Sequence, residues 1–137
     1  MKTYIIKGDP IPLARVRHVR NRIYDPQKEL KAIATIDLER QHDQAPLLLG
    51  PLHLNVIFYM KPPESCSAKK RAALFNQPHI FKPDLDNLIK FICDISSGVI
   101  YHDDCAIFSI TSKKIYDSNS RTEFSFTSIL QEDHEKK

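Results

Sequence analysis

Residues 82–98 read KPDLDNLIKFICDISSG, and this stretch decides how the chain folds. Its apolar residues recur at spacings of three and four, which predicts an α-helix with one buried face. Asp84 or Asp86 is the predicted N-cap of this helix, and Gly98 is its predicted C-terminal stop. The apolar stripe is made of Leu85, Leu88, Ile89, Ile92 and Ile95.

Strand patterns flank this helix on both sides. Residues 52–60 place apolar side chains at every second position, which predicts a strand with one strongly apolar face. Residues 2–8 predict a short strand, and residues 105–116 and 122–130 are both strand-like. The polar residues DSNSR (117–121) join the last two strands and have the chemistry of a turn, which predicts a β-hairpin.

Two more helices are predicted nearer the N-terminus. Asp25 followed by Pro26 indicates a helix start, with the acid as N-cap and the proline in the first helical position. This helix is expected to run to about Gln44, with an apolar face of Leu30, Ile33, Ala34 and Leu38. Residues 65–75 predict a short basic helix, for which Ser67 is the candidate cap.

Length and composition indicate an ordinary globular protein. The chain of 137 residues fits one domain, predicted over residues 1–130, with a charged flexible tail at residues 131–137. Hydrophobic residues make up 42% and charged residues 27%, which argues against disorder. The chain has only three glycines and contains neither GxGxxG nor GxxxxGK(S/T), so the two common glycine-loop nucleotide motifs are excluded. A net charge of +3 permits a nucleic-acid partner without requiring one.

The cysteine spacing and the distribution of apolar residues indicate the cellular compartment. Cys66, Cys93 and Cys105 make an odd number without a CxxC spacing, so we expect neither a disulfide framework nor a structural zinc site. No signal peptide is visible, and no apolar run is long enough to span a membrane. These observations predict a cytoplasmic protein without membrane contact.

The residues that suggest chemistry are acidic and lie at the start of the central helix. Asp84 and Asp86 are separated by one residue, and two carboxylates about 4 Å apart repel by roughly 4 kcal/mol at an effective dielectric of about 20. A helix N-terminus offsets only about 0.3–1 kcal/mol per charge. Converging carboxylates therefore need a cation, a proton or separation by solvent, and an all-oxygen site suits Mg²⁺ or Mn²⁺.

Three further groups can join this acidic pair. Lys90 follows Asp86 by four residues, so both lie on one helical face, where a lysine could stabilise charge on a phosphate. Asp103 and Asp104 follow the helix, where the returning chain could bring one acid to the metal. Each part of the pattern also has a simpler interpretation. The first two aspartates can be a helix cap, Asp103 and Asp104 a solvated turn, and Asp86 with Lys90 a surface ion pair. The joint pattern is more specific than any of these parts alone.

An arginine-rich segment lies near the N-terminus. Two prolines make a helix improbable at its start, so residues 9–24 predict an extended arm with room for a short strand. Arginines without acidic neighbours suit a phosphate backbone, and a solvated coil is the alternative. The predicted DNA contacts are Arg15, Arg17, Arg20 and Arg22 of this arm and Lys69, Lys70 and Arg71 of the short basic helix, with Lys113 and Lys114 as possible extensions.

At these residues the sequence resembles a known family. The pattern His-x-x-Lys-Pro-Asp-Leu-Asp-Asn-Leu-x-Lys at residues 79–90, followed by Asp94 and by Tyr-x-Asp-Asp at residues 101–104, resembles the RusA family of Holliday junction resolvases. The pattern Gly-x-Pro-x-Pro-x-x-Arg-x-Arg at residues 8–17 is similar to a proline–arginine segment of many members. The resemblance covers roughly residues 4–116.

The resemblance implies an α+β fold, a mixed β-sheet with helices packed on it, and a homodimer. It implies an endodeoxyribonuclease that depends on Mg²⁺, with Mn²⁺ as a possible substitute. Such an enzyme makes two symmetric nicks in a four-way DNA junction during recombination and repair. No small-molecule cofactor is expected. By resemblance Asp84, Asp86 and Asp104 match the catalytic metal-binding aspartates, and Lys90 matches the catalytic lysine. Asp103 matches the neighbouring acid and is included in the predicted metal set.

Two other classes of function stay open at this point. A branched-DNA-binding module without catalysis needs only the basic arm. A metal-independent hydrolase with paired carboxylates, as in glycosidases, is the other class. It is disfavoured because sugar sites usually use aromatic platforms, and this chain has no Trp.

Overall fold

The structure is a computed structural model that describes residues 2–129. Within this part of the chain it contains six strands and three α-helices, and a 3₁₀ turn, Asp104–Ala106, precedes the fifth strand. In chain order the elements are β1 (Thr3–Lys7), β2 (Arg17–Val19), β3 (Arg22–Tyr24), α1 (Lys28–His42), β4 (Leu52–Met60), α2 (Ala68–Leu74), α3 (Leu85–Ser96), β5 (Ile107–Tyr116) and β6 (Arg121–Ser128). The predicted charged tail, residues 131–137, lies outside the described residues.

A mixed four-stranded sheet forms the centre of the molecule, with the strand order β1-β6-β4-β5. Strand β4 pairs antiparallel with β6 and parallel with β5, and β1 pairs antiparallel with β6. The alternate residues of β4 are buried, as the period of two in its sequence predicts. The fold is therefore α+β with a mixed sheet, as predicted.

The predicted hairpin between the last two strands is wrong, because β4 lies between β5 and β6. Leu54, Val56 and Phe58 of β4 are at most 1% exposed, and a strand so apolar is stabilised most in the centre of the sheet. The polar turn after β5 consequently crosses the end of β4, where the backbone N–H of Asp117 donates to the carbonyl of Met60 at 2.9 Å. A hairpin turn sequence thus joins two strands that do not pair.

Helix α3 packs its apolar side into the core beside this sheet. Its buried side chains include Leu88, Phe91, Ile92 and Ile95, while Leu85 and Ile89 of the predicted stripe lie at the margin of the core. The helix occupies the predicted stretch, with Asp84 at the N-cap position. It ends at Ser96, and Gly98 follows at φ +83°, a conformation that glycine adopts without strain.

Helix α1 differs from the prediction in its start and in its buried face. It begins at Lys28, three residues after Asp25, because the Asp25 carboxylate accepts the N–H of Gln27 at 2.8 Å in a separate turn. Of the predicted apolar face only Ala34 and Leu38 are buried, whereas Leu30 is 48% and Ile33 is 67% exposed. The helix packs on β1 and α3 at the margin of the sheet, so only a narrow stripe of it is covered.

The arginine-rich arm contains a hairpin of two short strands, β2 and β3, instead of a single short strand. Its turn residues, Arg20 and Asn21, both have positive φ, as in the tight turns that match the twist of paired strands. The arm lacks the Asn-Gly or Asp-Gly sequence that usually signals such a turn, so the sequence did not predict it.

The remaining sequence expectations concern α2, the cysteines and the membrane. Ser67 caps α2 as predicted, since its side chain accepts the backbone N–H of Lys70. Cys66, Cys93 and Cys105 are free. Among residues 2–129 no helix has the length and apolar character needed to cross a membrane.

Candidate active site

Two carboxylates occupy the first turn of α3, and each has a lysine beside it. The Asp84 carboxylate accepts a hydrogen bond from Lys82 Nζ at 2.8 Å, and this ammonium holds the pKa of Asp84 below its ordinary value. The Asp86 carboxylate lies 4.0 Å from Lys90 Nζ, one helical turn further on. All four side chains are largely exposed, so they are accessible to a ligand and these contacts contribute little to stability.

The loop that leads into Asp84 is fixed by a lysine from the sheet. Lys114 on β5 donates from Nζ to the carbonyls of Phe81 and Pro83, both at 2.7 Å. Its own backbone carbonyl accepts the N–H of His79 at 3.0 Å. Lys114 was a possible DNA contact in the sequence, and the structure uses two of its three N–H donors to hold this loop instead.

Asp104 lies beside the third turn of α3, where the core meets solvent. Its carboxylate accepts a hydrogen bond from the Tyr101 hydroxyl at 2.7 Å, and the same hydroxyl lies 3.0 Å from the carbonyl of Cys93. Partial burial raises the pKa of Asp104 above its ordinary value, and the charges of Asp103 and Asp94 add to this, while the Tyr101 hydrogen bond opposes it. Asp104 is thus the most desolvated of the predicted ligands.

Asp103 has a local structural role. Its carboxylate accepts the backbone N–H of Cys105 at 3.1 Å and caps the 3₁₀ turn that carries Asp104. Its assignment to the metal set remains a prediction.

Lys90 connects the two acidic regions. It contacts Asp86, and it also lines an open concavity together with Asp94, Asp104 and the arm residue Leu13. Among residues 2–129 there is no group of three or more His, Cys, Asp and Glu side chains that could hold a metal ion. Within this part of one chain the predicted aspartates therefore do not converge on a single ion.

Asp94 is a charged group of this concavity and is not among the site residues predicted from the sequence. Its carboxylate lies 3.0 Å from Lys31 Nζ, and the same ammonium pairs with Asp25 before α1. The position of Asp94, eight residues after Asp86, was the available signal, because both can face one side of a helix. Asp94 joins α1 to α3 and adds negative charge close to Asp104.

The arginine-rich arm is anchored on the first turn of α3. The backbone N–H of Leu13 donates to the carbonyl of Asn87, the residue after Asp86, at 3.0 Å. The side chain of Gln27 holds the same segment, accepting from Ala14 N at 2.8 Å and donating to the carbonyl of Pro12 at 2.7 Å. The hairpin β2–β3 therefore extends from a base that adjoins the acidic residues.

The basic residues predicted to contact DNA are mostly free to do so. Among residues 2–129 the four arginines of the arm are exposed and none forms an ion pair with an acidic side chain; they are Arg15, Arg17, Arg20 and Arg22. Lys69 and Lys70 on α2 are exposed as well. Arg71 is half-buried and donates to the carbonyl of Pro63 at 3.1 Å, so it also stabilises its own region.

Comparison with known proteins identifies the family. The family model for endodeoxyribonuclease RusA matches residues 8–126, a range that contains the arm, α3 and Asp104. The chain belongs to the RusA family. Over 129 residues it is 26% identical to "Uncharacterized protein YqaN" of Bacillus subtilis (strain 168), an alignment that covers 88% of this chain and 91% of that protein.

The acidic side chains of this RusA-family chain are of the type that binds hard divalent cations. Asp84, Asp86 and Asp104 are exposed carboxylates, and hard divalent cations bind such oxygen ligands in preference to nitrogen or sulfur. Burial raises the pKa of the nearby Cys93 thiol to about 11, so this group stays protonated and is a poor ligand or nucleophile at neutral pH.

Proposed function

We propose that this protein is a structure-specific endodeoxyribonuclease that resolves Holliday junctions by paired nicking, with Mg²⁺ as its cofactor and Mn²⁺ as a possible substitute. Membership of the RusA family supports an endodeoxyribonuclease that acts on branched DNA. The proposed setting is DNA recombination and repair. The proposed active form is a homodimer, because two sites related by a twofold axis suit two nicks on a symmetric junction.

The observation that carries the proposal is the attachment of the arginine-rich arm to the first turn of α3. Leu13 bonds to Asn87, so the arm leaves the body of the protein beside Asp86 and Lys90. A phosphate backbone held by the exposed arginines would therefore pass close to these groups. Phosphate contacts fix the position of the duplex without reading its sequence, as a nuclease that recognises a junction by its shape requires.

We assign the metal-binding role to Asp84, Asp86 and Asp104, with Asp103 as the neighbouring acid. When bound, the ion would lower the pKa of a water molecule and neutralise charge on the scissile phosphate. We assign to Lys90 the donation of a hydrogen bond to a phosphate oxygen. Its ammonium lies 4.0 Å from Asp86, and the residue lines the concavity of Asp104, which supports this role. Lys82 would offset the charge of Asp84 in the metal-free protein.

Replacing one ligand tests the proposal. Asp86→Asn is expected to reduce Mg²⁺-dependent nicking of a labelled four-way junction by at least about 10²-fold, because the ion loses a charged ligand. Junction binding should be nearly unchanged, since the arm is intact. The control is Asp43→Asn, the same change of charge at the end of α1, where the residue has φ +52° and Asn is tolerated. It should cut at the wild-type rate.

Each outcome of this experiment is informative. Wild-type nicking in Asp86→Asn would contradict the assigned site. Tight junction binding without nicking by the wild-type protein in Mg²⁺ or Mn²⁺ would favour the non-catalytic branched-DNA-binding module. Nicking that survives EDTA would contradict the proposed metal dependence.

A further inference from the structure

Asp104 begins a short turn, so its carboxylate needs an external contact to keep one orientation. It is the first residue of the 3₁₀ turn Asp104–Ala106, and the residue is exposed to solvent. A side chain in this setting has several rotamers available unless a neighbour holds it. Metal binding would then have to order the carboxylate, which costs free energy.

Tyr101 is the neighbour that holds it, and Tyr101 itself is fixed. Its side chain is completely buried, with its ring centroid 5.0 Å from that of Phe126. Its backbone carbonyl accepts the N–H of Gly98 at 2.7 Å. With the ring and the backbone both held, the hydroxyl has a single position.

Asp104 is the better of two acceptors for the Tyr101 hydroxyl. Two acceptors are within reach, the Asp104 carboxylate at 2.7 Å and the Cys93 carbonyl at 3.0 Å. The Cys93 carbonyl already accepts the backbone N–H of Ser97 at 3.1 Å. The carboxylate is closer and, when ionised, is the stronger acceptor.

We propose that Tyr101 is a positioning residue of the nuclease site, which restricts the Asp104 carboxylate to one orientation so that less ordering is needed when this carboxylate binds the divalent ion. This inference rests on the proposed function, in which Asp104 is a metal ligand. The competing explanation is that a buried tyrosine needs a partner for its hydroxyl simply to be stable in the core. That explanation predicts a loss of stability with no loss of metal affinity.

Tyr101→Phe removes the hydroxyl and keeps the buried ring. The matched control is Tyr4→Phe, because Tyr4 is also buried and its hydroxyl lies 2.6 Å from His42 Nδ1. The full-length proteins are titrated with MnCl₂ while free Mn²⁺ is followed by electron paramagnetic resonance. Melting temperature and junction cleavage are measured on the same preparations.

We expect Tyr101→Phe to weaken Mn²⁺ binding roughly 10- to 100-fold, the usual effect of removing a hydrogen bond to a ligating side chain. Tyr4→Phe should keep the wild-type affinity, and both variants should melt at a lower temperature. In an Asp104→Asn background, Tyr101→Phe should change Mn²⁺ affinity by less than about twofold, because the group it positions is already altered.

The outcomes separate this inference from the proposed function. A wild-type protein that binds Mn²⁺ and cleaves junctions, alongside a Tyr101→Phe variant of equal affinity, overturns the inference and leaves the proposed function standing. An equal loss of affinity in Tyr101→Phe with and without Asp104→Asn also overturns it. A wild-type protein that neither binds Mn²⁺ nor cleaves junctions overturns both.

Discussion

Gly50 approaches the turn that carries Asp104 so closely that no side chain fits. A methyl group on Gly50 would lie 2.7 Å from the Cβ of Ala106, well inside van der Waals contact. The structure therefore links a residue before β4 to the acidic turn before β5. Nothing in the local sequence indicates this approach, because the two residues are far apart in the chain.

Gly50→Ala should destabilise the fold by about 1–3 kcal/mol, the usual cost of overpacking, and should displace the Asp104 turn. Urea denaturation measures the first effect, and junction cleavage measures the second. The double variant Gly50→Ala with Ala106→Gly removes the clash and should recover most of both losses. An unchanged urea midpoint in Gly50→Ala would contradict this account of the contact.

At the residue scale the sequence predicted a contact within one helix, but it did not predict the contacts between separate elements. The pairing of Asp86 with Lys90 followed from a spacing of four on one helix, and it is confirmed. The contact of Tyr101 with Asp104 depends on the path of a return loop, and Lys114 reaches its loop from a strand 31 residues away in the chain. No periodicity specifies such contacts.

Among the elements, the hairpin β2–β3 carries three exposed arginines, Arg17, Arg20 and Arg22. If Arg17 and Arg22 each neutralise one DNA phosphate, the double variant Arg17→Ala with Arg22→Ala should bind DNA with a weaker salt dependence. The negative slope of log affinity against log salt should become shallower by about 1.8, or about 0.9 per phosphate. Filter binding to a four-way junction at several salt concentrations measures the slope. The control is Arg40→Ala on α1, whose guanidinium pairs with Asp37 at 2.6 Å.

The control should leave the salt dependence unchanged. An unchanged slope in the hairpin variant would mean that these arginines do not contact phosphate, and the arm would lose its proposed role.

The sequence predicted the bounds of the strongly periodic elements closely, but it did not predict which strands pair with each other. Strand β4 occupies the predicted residues, and the central helix and α2 fall within theirs. Pairing follows from competition for the two internal positions of the sheet, one of which β4 takes because its alternate side chains are all apolar. The turn sequence after β5 reflects only local backbone preferences, and it predicted a hairpin. In the sheet, β4 lies between β5 and β6, so these two strands do not pair.

On the scale of the whole molecule, the mixed sheet places α3, the arm and the Asp104 turn on neighbouring parts of one surface. The arm is bonded to Asn87, and Leu13 shares a concavity with Lys90 and Asp104. This arrangement brings the base of the arginine-rich arm close to Lys90 and Asp104. Among residues 2–129 the three aspartates do not form a group that could hold a metal ion.

The most direct test of the account is a crystal structure of the assembled protein soaked with Mn²⁺, with the ion located by anomalous scattering. We predict a peak at coordination distance from the carboxylates of Asp84, Asp86 and Asp104, contributed by one chain or by two, with the Lys90 ammonium nearby. A structure that places Asp104 on a different surface from Asp84 and Asp86, with no neighbouring subunit joining them, would contradict the nuclease site.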